Sequence, residues 1–219
     1  MSKLCVVIPM KRPAHAKQRL AGCLSHRERE QLAISMFTNT LMFFRRHFPA
    51  LNMMVISESD EMLSLAASYG ANTLREDGKK GLNGALSQAC QWVKNAGFSH
   101  QIIIPSDIAL LDQGEFSALL QAARCHQVVI AKAKDGGTNA LATSPPDAIA
   151  FRYGTESAAK HDAEAGLQGL ACCQLLLPNL SQDIDQSDDL ERAIAQQPQR
   201  FSAWRRGADT PFIKERRYA

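Results

Sequence analysis

The chain has 219 residues, of which 45% are hydrophobic and 21% are charged, and its formal net charge is +3. This composition excludes a disordered chain and a membrane protein, and the length suits one α/β domain with a sizeable core. The basic excess is local, because six basic residues but only two acids lie from Arg200 onward.

The cysteines and the N-terminus indicate a cytoplasmic protein without a membrane partner. The cysteines contain no C-x-x-C pair, which favours free thiols in a reducing compartment over disulfides or a zinc site. The sequence begins directly with a strand-like run, so no signal or transit peptide is expected. No apolar run approaches the roughly 18 residues of a spanning helix.

The apolar periodicity predicts strands that alternate with helices. A capping-box spacing from Ser25 to Glu28 marks the start of the first long helix, and Asp60 and Ser187 are candidate caps of later ones. In chain order the predicted elements are strand 4–8, helix 25–48, strand 53–56, helix 60–70, strand 71–74, helix 82–96, strand 101–105, helix 114–124, strand 128–131, a hairpin of strands 139–143 and 148–151 around Pro145-Pro146, helix 155–169, strand 172–177 and helix 187–195.

This alternation predicts an α/β fold in which a mostly parallel, mixed sheet lies between helices in a three-layer α/β/α arrangement. Residues 1–197 form the single predicted domain, and residues 198–219, which lack periodicity, form a basic C-terminal tail. Ligands of such sheets bind beyond the carboxyl ends of the strands. The residues that follow each strand are therefore the first candidates for function.

The first predicted strand leads into a basic loop, residues 9–20, which contains four cations and no acid: Lys11, Arg12, Lys17 and Arg19. Lysine and arginine side chains bind phosphate oxygens, so the loop is a candidate for holding a polyphosphate. The alternative is a solvated charged loop, since no Walker glycine pattern accompanies the cations.

Carboxylates follow two later strands. Asp107 comes directly after the fourth predicted strand, where it is either a ligand of a divalent metal or a turn cap. Asp183 and Asp185 lie at i and i+2, so in an extended segment both side chains point to one side. Two such carboxylates repel each other unless a cation lies between them.

Together, the basic loop and these acids predict a site for a complex of Mg²⁺ with a polyphosphate, such as a nucleotide. The six histidines form no ligand pattern, and no nucleophile motif is present. If the acceptor is itself a phosphate, its oxygen is already anionic near neutral pH. Nucleotidyl transfer then requires positioning and charge neutralisation rather than a general base.

Further segments are candidates for backbone contacts with a ligand. The glycine-rich stretch 80–86 feeds a helix, and its backbone could approach a base or simply form a turn. Near residues 136–141 and 151–161, the backbone N–H groups of Thr138, Gly154 and Ser157 could hold a carboxylate or a phosphate. Ordinary loop structure is the alternative.

The chain resembles a known family in six ordered segments: "PMKRPAHAKQRLAGCLS", "GLNGAL", "PSDIALL", "GGTNAL", "FRYGTESAAKH" and "DIDQSDDL". They are similar to the guanylyltransferases of deazaflavin coenzyme F-420 biosynthesis, the 2-phospho-L-lactate guanylyltransferase family, over about residues 3–195. The resemblance implies a nucleotide-diphospho-sugar transferase (GT-A-like) fold and nucleotidyltransferase activity with Mg²⁺ as cofactor. The implied partners are GTP and a small phosphorylated acid, namely 2-phospholactate, phosphoenolpyruvate or 3-phosphoglycerate.

The resemblance also implies site residues, position by position. They are the catalytic, triphosphate-binding Lys11, Lys17 and Arg19; the metal-binding Asp107, Asp183 and Asp185, of which Asp107 is also catalytic; Leu82, Asn83 and Ala85 on the guanine side; and Thr138, Gly154 and Ser157 on the side of the acceptor carboxylate. The family commonly has Gly and Phe near Glu156 and Ala158. Glu156 therefore adds an acid beside the expected acceptor.

Two alternatives stay open at this point. The same fold could serve a sugar phosphate or a pterin cofactor as acceptor. A non-catalytic nucleotide- or nucleic-acid-binding protein could instead use the basic tail, where Trp204 and Phe212 allow stacking on bases, although nucleic acid is the less favoured partner. The oligomeric state is also open, a homodimer included.

Overall fold

The computed structural model describes residues 3–78 and 81–205, in which strands and helices alternate. The strands are β1 (Leu4–Met10), β2 (Asn52–Ser57), β3 (Asn72–Arg75), β4 (His100–Ile103), β5 (Val128–Lys132), β6 (Thr138–Thr143) and β7 (Cys172–Leu175). The α-helices are α1 (His26–His47), α2 (Asp60–Ser68), α3 (Gly81–Asn95), α4 (Gln113–Cys125), α5 (Ser157–Leu167), α6 (Ser187–Gln196) and α7 (Pro198–Phe201). None of the helices in these described ranges is long and apolar enough to cross a bilayer.

All seven strands form one sheet, in the order β3-β2-β1-β4-β6-β5-β7. Neighbouring strands are parallel except that β6 runs antiparallel to both β4 and β5. The carboxyl ends of β1 to β4 therefore meet at one edge of the sheet. The first residues of β6 reach the same edge, because this strand runs in the opposite direction.

Two apolar clusters cover the two faces of the sheet. Successive residues of a strand point to opposite faces, so Val6 and Ile8 pack with α1, α2 and α4, whereas Cys5 and Val7 pack with α3 and α5. The three layers confirm the predicted α/β/α architecture with a mostly parallel, mixed sheet.

A third apolar cluster joins the basic loop to the C-terminal helices. It contains Leu20 of the loop, Ala109, Ile184, residues of α6 and the fully buried Phe201 of α7. Residues 198–205, which the sequence analysis places in the tail, thus begin with a short helix that packs on the domain. The rest of the predicted tail, 206–219, lies outside the described residues.

The predicted hairpin around Pro145-Pro146 is wrong. Residues 148–151 form no strand, and β6 pairs with β4 and β5 instead. Prolines have no N–H for a strand ladder, and the Pro146 carbonyl oxygen accepts hydrogen bonds from the side chains of Gln101 and Thr143. The turn is therefore fixed by side chains rather than by a second strand.

The helix starts differ from the predictions in detail. The capping box of Ser25 and Glu28 is confirmed. Asp60 and Ser187 are first helical residues rather than caps, because Ser59 and Gln186 occupy the N-cap positions. Helix α5 begins at 157, two residues later than predicted.

Candidate active site

An open cleft of about 800 Å³ lies at the carboxyl edge of the sheet. The ends of β1 and β2, the turns after β3 and β4, and the first turns of α3 line it. Lys11, Lys17 and Arg19 of the basic loop also line the cleft, together with Asp107 and Asp185. With two residues of α3, seven of the predicted site residues, drawn from distant parts of the sequence, therefore meet in one place.

Lys17 is the cation of the basic loop that the fold buries. It lies between two 3₁₀ turns, Pro13–His15 and Gln18–Leu20, and its φ of 54° is a left-handed conformation that costs energy in any residue with a side chain. Its side chain is only 5% exposed, and Nζ lies 2.7 Å from the Asp107 carboxylate. Nζ also donates to the Ile184 carbonyl oxygen at 2.5 Å. This one ammonium group therefore joins the loop to both acidic segments.

Arg19 and Lys11 are the exposed predicted cations of the loop. The Arg19 guanidinium contacts the Asp185 carboxylate at 2.5 Å, and its side chain is 69% exposed. Lys11 lines the cleft together with Glu58 and Glu76, which follow β2 and β3. Burial and then the Glu58 carboxylate raise the pKa of Glu76, and the Lys11 charge acts against them.

A short β-bridge brings the two acidic segments together. Ile108 pairs antiparallel with Asp183, and the Ile184 N–H donates to the Asp107 carbonyl oxygen at 3.1 Å. On the other side of the bridge, the Ala109 N–H donates to the Gln182 carbonyl oxygen at 2.9 Å. The backbone pairing thus fixes the approach of two carboxylates that are far apart in sequence.

Asp183 titrates abnormally because of where the bridge places it. Burial and then the Asp107 carboxylate raise the pKa of Asp183 above its ordinary value. The Asn139 side-chain amide donates to the Leu180 carbonyl oxygen at 3.0 Å and to Asp183 Oδ1 at 3.4 Å. Two carboxylates that disfavour each other's charge are a place where a cation binds favourably.

The carboxylates fit a Mg²⁺ ion that arrives with phosphate. In the described ranges, no group of three or more His, Cys, Asp or Glu side chains could hold a metal, and Asp185 contacts Arg19. The bridge at Ile108, however, brings the segments of Asp107 and Asp183 together, and both side chains carry hard oxygen donors. Mg²⁺ is usually held by one or two carboxylates with phosphate oxygens completing its shell, so this pair suits a metal–nucleotide complex.

The start of α3 presents two of its three predicted guanine-side residues to the cleft. Leu82 and Ala85 line it. The Asn83 side chain pairs with the backbone of Tyr153: its Nδ2 donates to the Tyr153 carbonyl oxygen at 3.1 Å, and its Oδ1 accepts from the Tyr153 N–H at 2.8 Å. Asn83 therefore connects α3 to the segment that precedes α5.

The predicted acceptor residues Thr138 and Ser157 belong to one buried hydrogen-bond network at the start of α5. The Ser157 hydroxyl donates to Thr138 Oγ1 at 3.0 Å, and His161 Nδ1 lies 3.0 Å from the same oxygen. His161 Nε2 accepts from the Arg152 N–H at 2.9 Å, which assigns the proton to Nδ1. Burial lowers the pKa of His161 to about 4, so the ring is neutral at pH 7.

The backbone that leads into α5 is unusual. Gly154, the third predicted acceptor residue, has a φ of 129° and Glu156 a φ of 54°. No side chain of the described residues caps α5, although the Ala158 N–H donates to the Gly136 carbonyl oxygen at 3.1 Å. The other N–H groups of a first helical turn have no partner within the helix, which favours an anion there. The Glu156 carboxylate lies against Gly136, where an added Cβ would come within 2.7 Å of its Oε1.

Two residues of this arrangement, His161 and Asn139, were not predicted from the sequence. His161 follows Ser157 by four residues, which places both on one helix face, so the spacing was a usable signal. Asn139 has no local signal, because its contact with Asp183 depends on the antiparallel course of β6.

Solved structures share this fold. The 4-diphosphocytidyl-2C-methyl-D-erythritol synthase from Anaerococcus prevotii matches with a TM-score of 0.64 and 10% identity, over 89% of this chain and 96% of that one. A CMP:2-keto-3-deoxy-manno-octonic acid synthetase complexed with CTP matches with a TM-score of 0.60 and 10% identity, over 90% and 99% of the two chains. At such identities the likeness concerns the fold alone, and it confirms the predicted nucleotide-diphospho-sugar transferase type.

The family described as "Guanylyl transferase CofC like" matches residues 4–200. The chain belongs to this family. One relative, named 3-phospho-D-glycerate guanylyltransferase, from Colwellia psychrerythraea, is 44% identical over 187 residues, 85% of this chain and 89% of that protein. Another, named 2-phospho-L-lactate guanylyltransferase, from Methanothermobacter thermautotrophicus, is 38% identical over 192 residues, 88% and 84% of the two proteins. The guanylyltransferase family predicted from the six segments is thus confirmed.

Proposed function

We propose that this guanylyl transferase family member transfers GMP from GTP to the phosphate of a small phosphorylated carboxylic acid, as a step of coenzyme F-420 biosynthesis. An acceptor phosphate oxygen bonds to the α-phosphorus, and the bond from the α-phosphorus to the oxygen that bridges it to the β-phosphorus breaks, which releases pyrophosphate. One observation supports this best: Lys17 and Arg19 contact Asp107 and Asp185 at the same cleft. The cleft therefore contains both cations that could bind a triphosphate and acids that could bind a metal.

The cations of the basic loop bind and neutralise the triphosphate in this proposal. In the structure, Lys17 and Arg19 contact carboxylates. Phosphate oxygens accept charge-assisted hydrogen bonds equally well and could take the place of these carboxylates. Lys11 lines the cleft nearby and adds a third positive charge. These charges stabilise the leaving pyrophosphate, whose negative charge grows as the bond breaks.

Asp107 and Asp183 would hold Mg²⁺, and Asp185 would join them when Arg19 turns to phosphate. Bound Mg²⁺ supplies charge neutralisation at the donor phosphates. The protein's own contribution is to keep the two carboxylates together through the bridge at Ile108, and to orient Asp183 through the Asn139 amide.

The acid binds at the start of α5, which has no side-chain cap, and backbone N–H groups near Thr138, Gly154 and Ser157 receive its carboxylate. The acceptor phosphate is anionic near neutral pH, so no side chain needs to remove a proton. The name of the relative at 44% identity makes 3-phospho-D-glycerate the first acid to test. All six cysteines are free thiols, which supports the proposed cytoplasmic setting.

No observation favours the nucleic-acid alternative in the part of the chain that the structure describes. Arg200, a basic residue of the predicted tail, packs over the Phe201 ring with its guanidinium carbon 5.2 Å from the ring centroid. The remaining tail cations after Arg205 lie outside the described residues.

The proposal is tested by pyrophosphate release from GTP and Mg²⁺ with 2-phospholactate, phosphoenolpyruvate, 3-phosphoglycerate and a sugar phosphate in turn, with mass spectrometry of each product. We expect release with at least one acid and a product mass equal to the guanosine diphospho-acid. If pyrophosphate is released only with the sugar phosphate, the acceptor is a sugar phosphate and not a phosphorylated acid. No release with any acceptor would overturn the proposed reaction.

The same assay tests Asp107. We expect Asp107→Asn to lower turnover by at least about a hundredfold, because it removes a charge that the metal requires and leaves Lys17 without its carboxylate. Glu61→Gln, a change at an exposed acid on α2, is the matched control and should retain activity. If the Asp107→Asn variant turns over as fast as the wild type at saturating Mg²⁺, Asp107 does not bind the metal.

A further inference from the structure

The Asn83 side chain makes a two-way contact that its predicted role does not require. Both polar atoms of its amide are used by one residue, the donor by the Tyr153 carbonyl oxygen at 3.1 Å and the acceptor by the Tyr153 N–H at 2.8 Å. Asn83 and Tyr153 are 70 residues apart in sequence. A side-chain amide that bonds to both the N–H and the carbonyl oxygen of one distant residue holds the backbone of that segment in place.

The held segment, residues 152–157, lies between the two halves of the proposed site. On one side, Asn83 lies in the sequence between Leu82 and Ala85, and both of these residues line the cleft proposed for the nucleotide. On the other side, the segment ends at Ser157, whose hydroxyl donates to Thr138. Thr138 is the neighbour of Asn139, which contacts Asp183.

The segment 152–157 is also held from its α5 side. His161 accepts from the Arg152 N–H at 2.9 Å and lies 3.0 Å from Thr138. Asn83 and His161 therefore fix two consecutive residues, Tyr153 and Arg152, from two different helices. The conformation between these contacts and α5 is costly, since Glu156 adopts a left-handed φ of 54°.

A costly conformation persists only where its surroundings impose it. The backbone N–H groups at the start of α5 are the proposed binding place of the acid carboxylate, and their direction depends on residues 154–156. Because Gly154 follows Tyr153 directly, loss of the Asn83 contact frees the backbone one residue before this turn.

We propose that Asn83 is a positioning residue for the acid half of the site, and that it acts through Tyr153 rather than through guanine. This inference rests on the proposed function for its substrates. It predicts that the amide controls the binding of the phosphorylated acid, although Asn83 belongs to the helix whose neighbouring residues line the nucleotide cleft.

Steady-state kinetics of Asn83→Ala provide the first test. We expect the KM for the acid to rise about tenfold to a hundredfold, as the loss of two hydrogen bonds suggests, while the KM for GTP changes less than about threefold. Asn83→Asp keeps the acceptor oxygen for the Tyr153 N–H but turns a second acceptor oxygen towards the Tyr153 carbonyl oxygen, so its effect on the KM for the acid should be at least as large as that of Asn83→Ala. Ser87→Ala, one turn along α3, removes only an exposed hydroxyl that donates to the Asn83 carbonyl oxygen, and both KM values should stay unchanged.

Hydrogen exchange gives a second readout that requires no turnover. In Asn83→Ala, the Tyr153 amide, which donates to Asn83 in the wild type, and the adjoining Arg152 amide should exchange faster than in the wild type, whereas amides in the middle of α3 should not. A rise in the KM for GTP as large as that for the acid would overturn the proposal in favour of a base contact. Unchanged exchange of the Tyr153 amide would overturn it as well. A wild-type protein that forms no guanylylated acid would instead refute the proposed function, and the exchange experiment would still decide whether Asn83 holds the segment.

Discussion

Single residues of the basic loop are stabilised by the acids that flank the cleft. An unpaired buried ammonium group would cost several kcal/mol, and the contact of Lys17 with Asp107 avoids this cost. The exposed pair of Arg19 and Asp185 contributes little to stability, because water screens both charges. In the proposed complex, phosphate would therefore displace Asp185 from Arg19 more easily than Asp107 from Lys17.

His161 makes stability depend on pH. Its pKa is about 4 in the folded protein because it is buried, compared with about 6.5 in an unfolded chain. Between these values the unfolded state binds a proton that the native state does not. Stability is therefore complete above pH 6.5 and decreases as the pH falls towards 4, by about 2 kcal/mol from pH 7 to pH 5.

Urea unfolding at pH 7 and pH 5 measures this effect when the wild type is compared with His161→Gln. Glutamine keeps hydrogen-bonding atoms and does not titrate, so the difference between the two proteins isolates His161 from the other titrating groups. The wild type should lose more stability than the variant between the two pH values. Equal losses would show that His161 is not buried in its neutral form.

At the level of elements, the first turn of α4 fixes the segment that leads to Asp183 and Asp185, two of the proposed metal-binding acids. The Asp112 side chain caps the helix by accepting from the Glu115 N–H at 2.9 Å. The Glu115 carboxylate then accepts from the backbone N–H and the side-chain amide of Asn179, both at 2.9 Å, and from the Leu180 N–H at 2.8 Å. Leu180 is three residues from Asp183, so helix α4 indirectly positions that carboxylate.

Glu115→Gln should destabilise the fold by about 2–4 kcal/mol, because it weakens three hydrogen bonds to a charged group. We also expect lower turnover at temperatures where the variant remains folded, since the segment before Asp183 loses its anchor. Glu61→Gln removes a first-turn acid from α2 and controls for the helix dipole alone. Chemical denaturation and the pyrophosphate assay measure the two effects, and equal stability of both variants would contradict the prediction.

At the level of the whole molecule, the third apolar cluster links the C-terminal helix to the site. Leu20 follows Arg19, and Ile184 lies between Asp183 and Asp185, so the residues beside three side chains of the proposed site share a cluster with Phe201. The short helix α7 thereby supports the proposed site, although most residues of that site come from earlier parts of the chain.

Phe201→Ala should lower the free energy of unfolding by about 3–5 kcal/mol, as expected for a fully buried aromatic side chain. Turnover should fall as well, because the cavity lies behind the loop and the acidic segment. Leu176→Ala, at a side chain that is 82% exposed, is the control and should change stability by less than about 0.5 kcal/mol. If the two variants unfold at the same urea concentration, α7 does not support the domain.

Local patterns were sufficient for the elements and for part of the site. Apolar runs gave the seven strands, and the Ser25–Glu28 spacing gave the start of α1, because both depend on neighbouring residues. Local patterns were insufficient where the pairing of a strand depends on residues far away in the sequence. Residues 148–151 have a strand-like composition, but β6 finds neighbours on both sides in β4 and β5, so no edge remains for them.

The placement of cations after β1 and of Asp107 after β4 follows from the sequence, because parallel strands align their carboxyl ends at one edge. The partners of these residues do not follow from it. The contact of Lys17 with Asp107, the bridge that brings Asp183 close, and the pairing of Asn83 with Tyr153 all join segments far apart in the chain. Such contacts depend on the order and direction of strands in the sheet, and local residue patterns carry no information about which distant backbone group a side chain will reach.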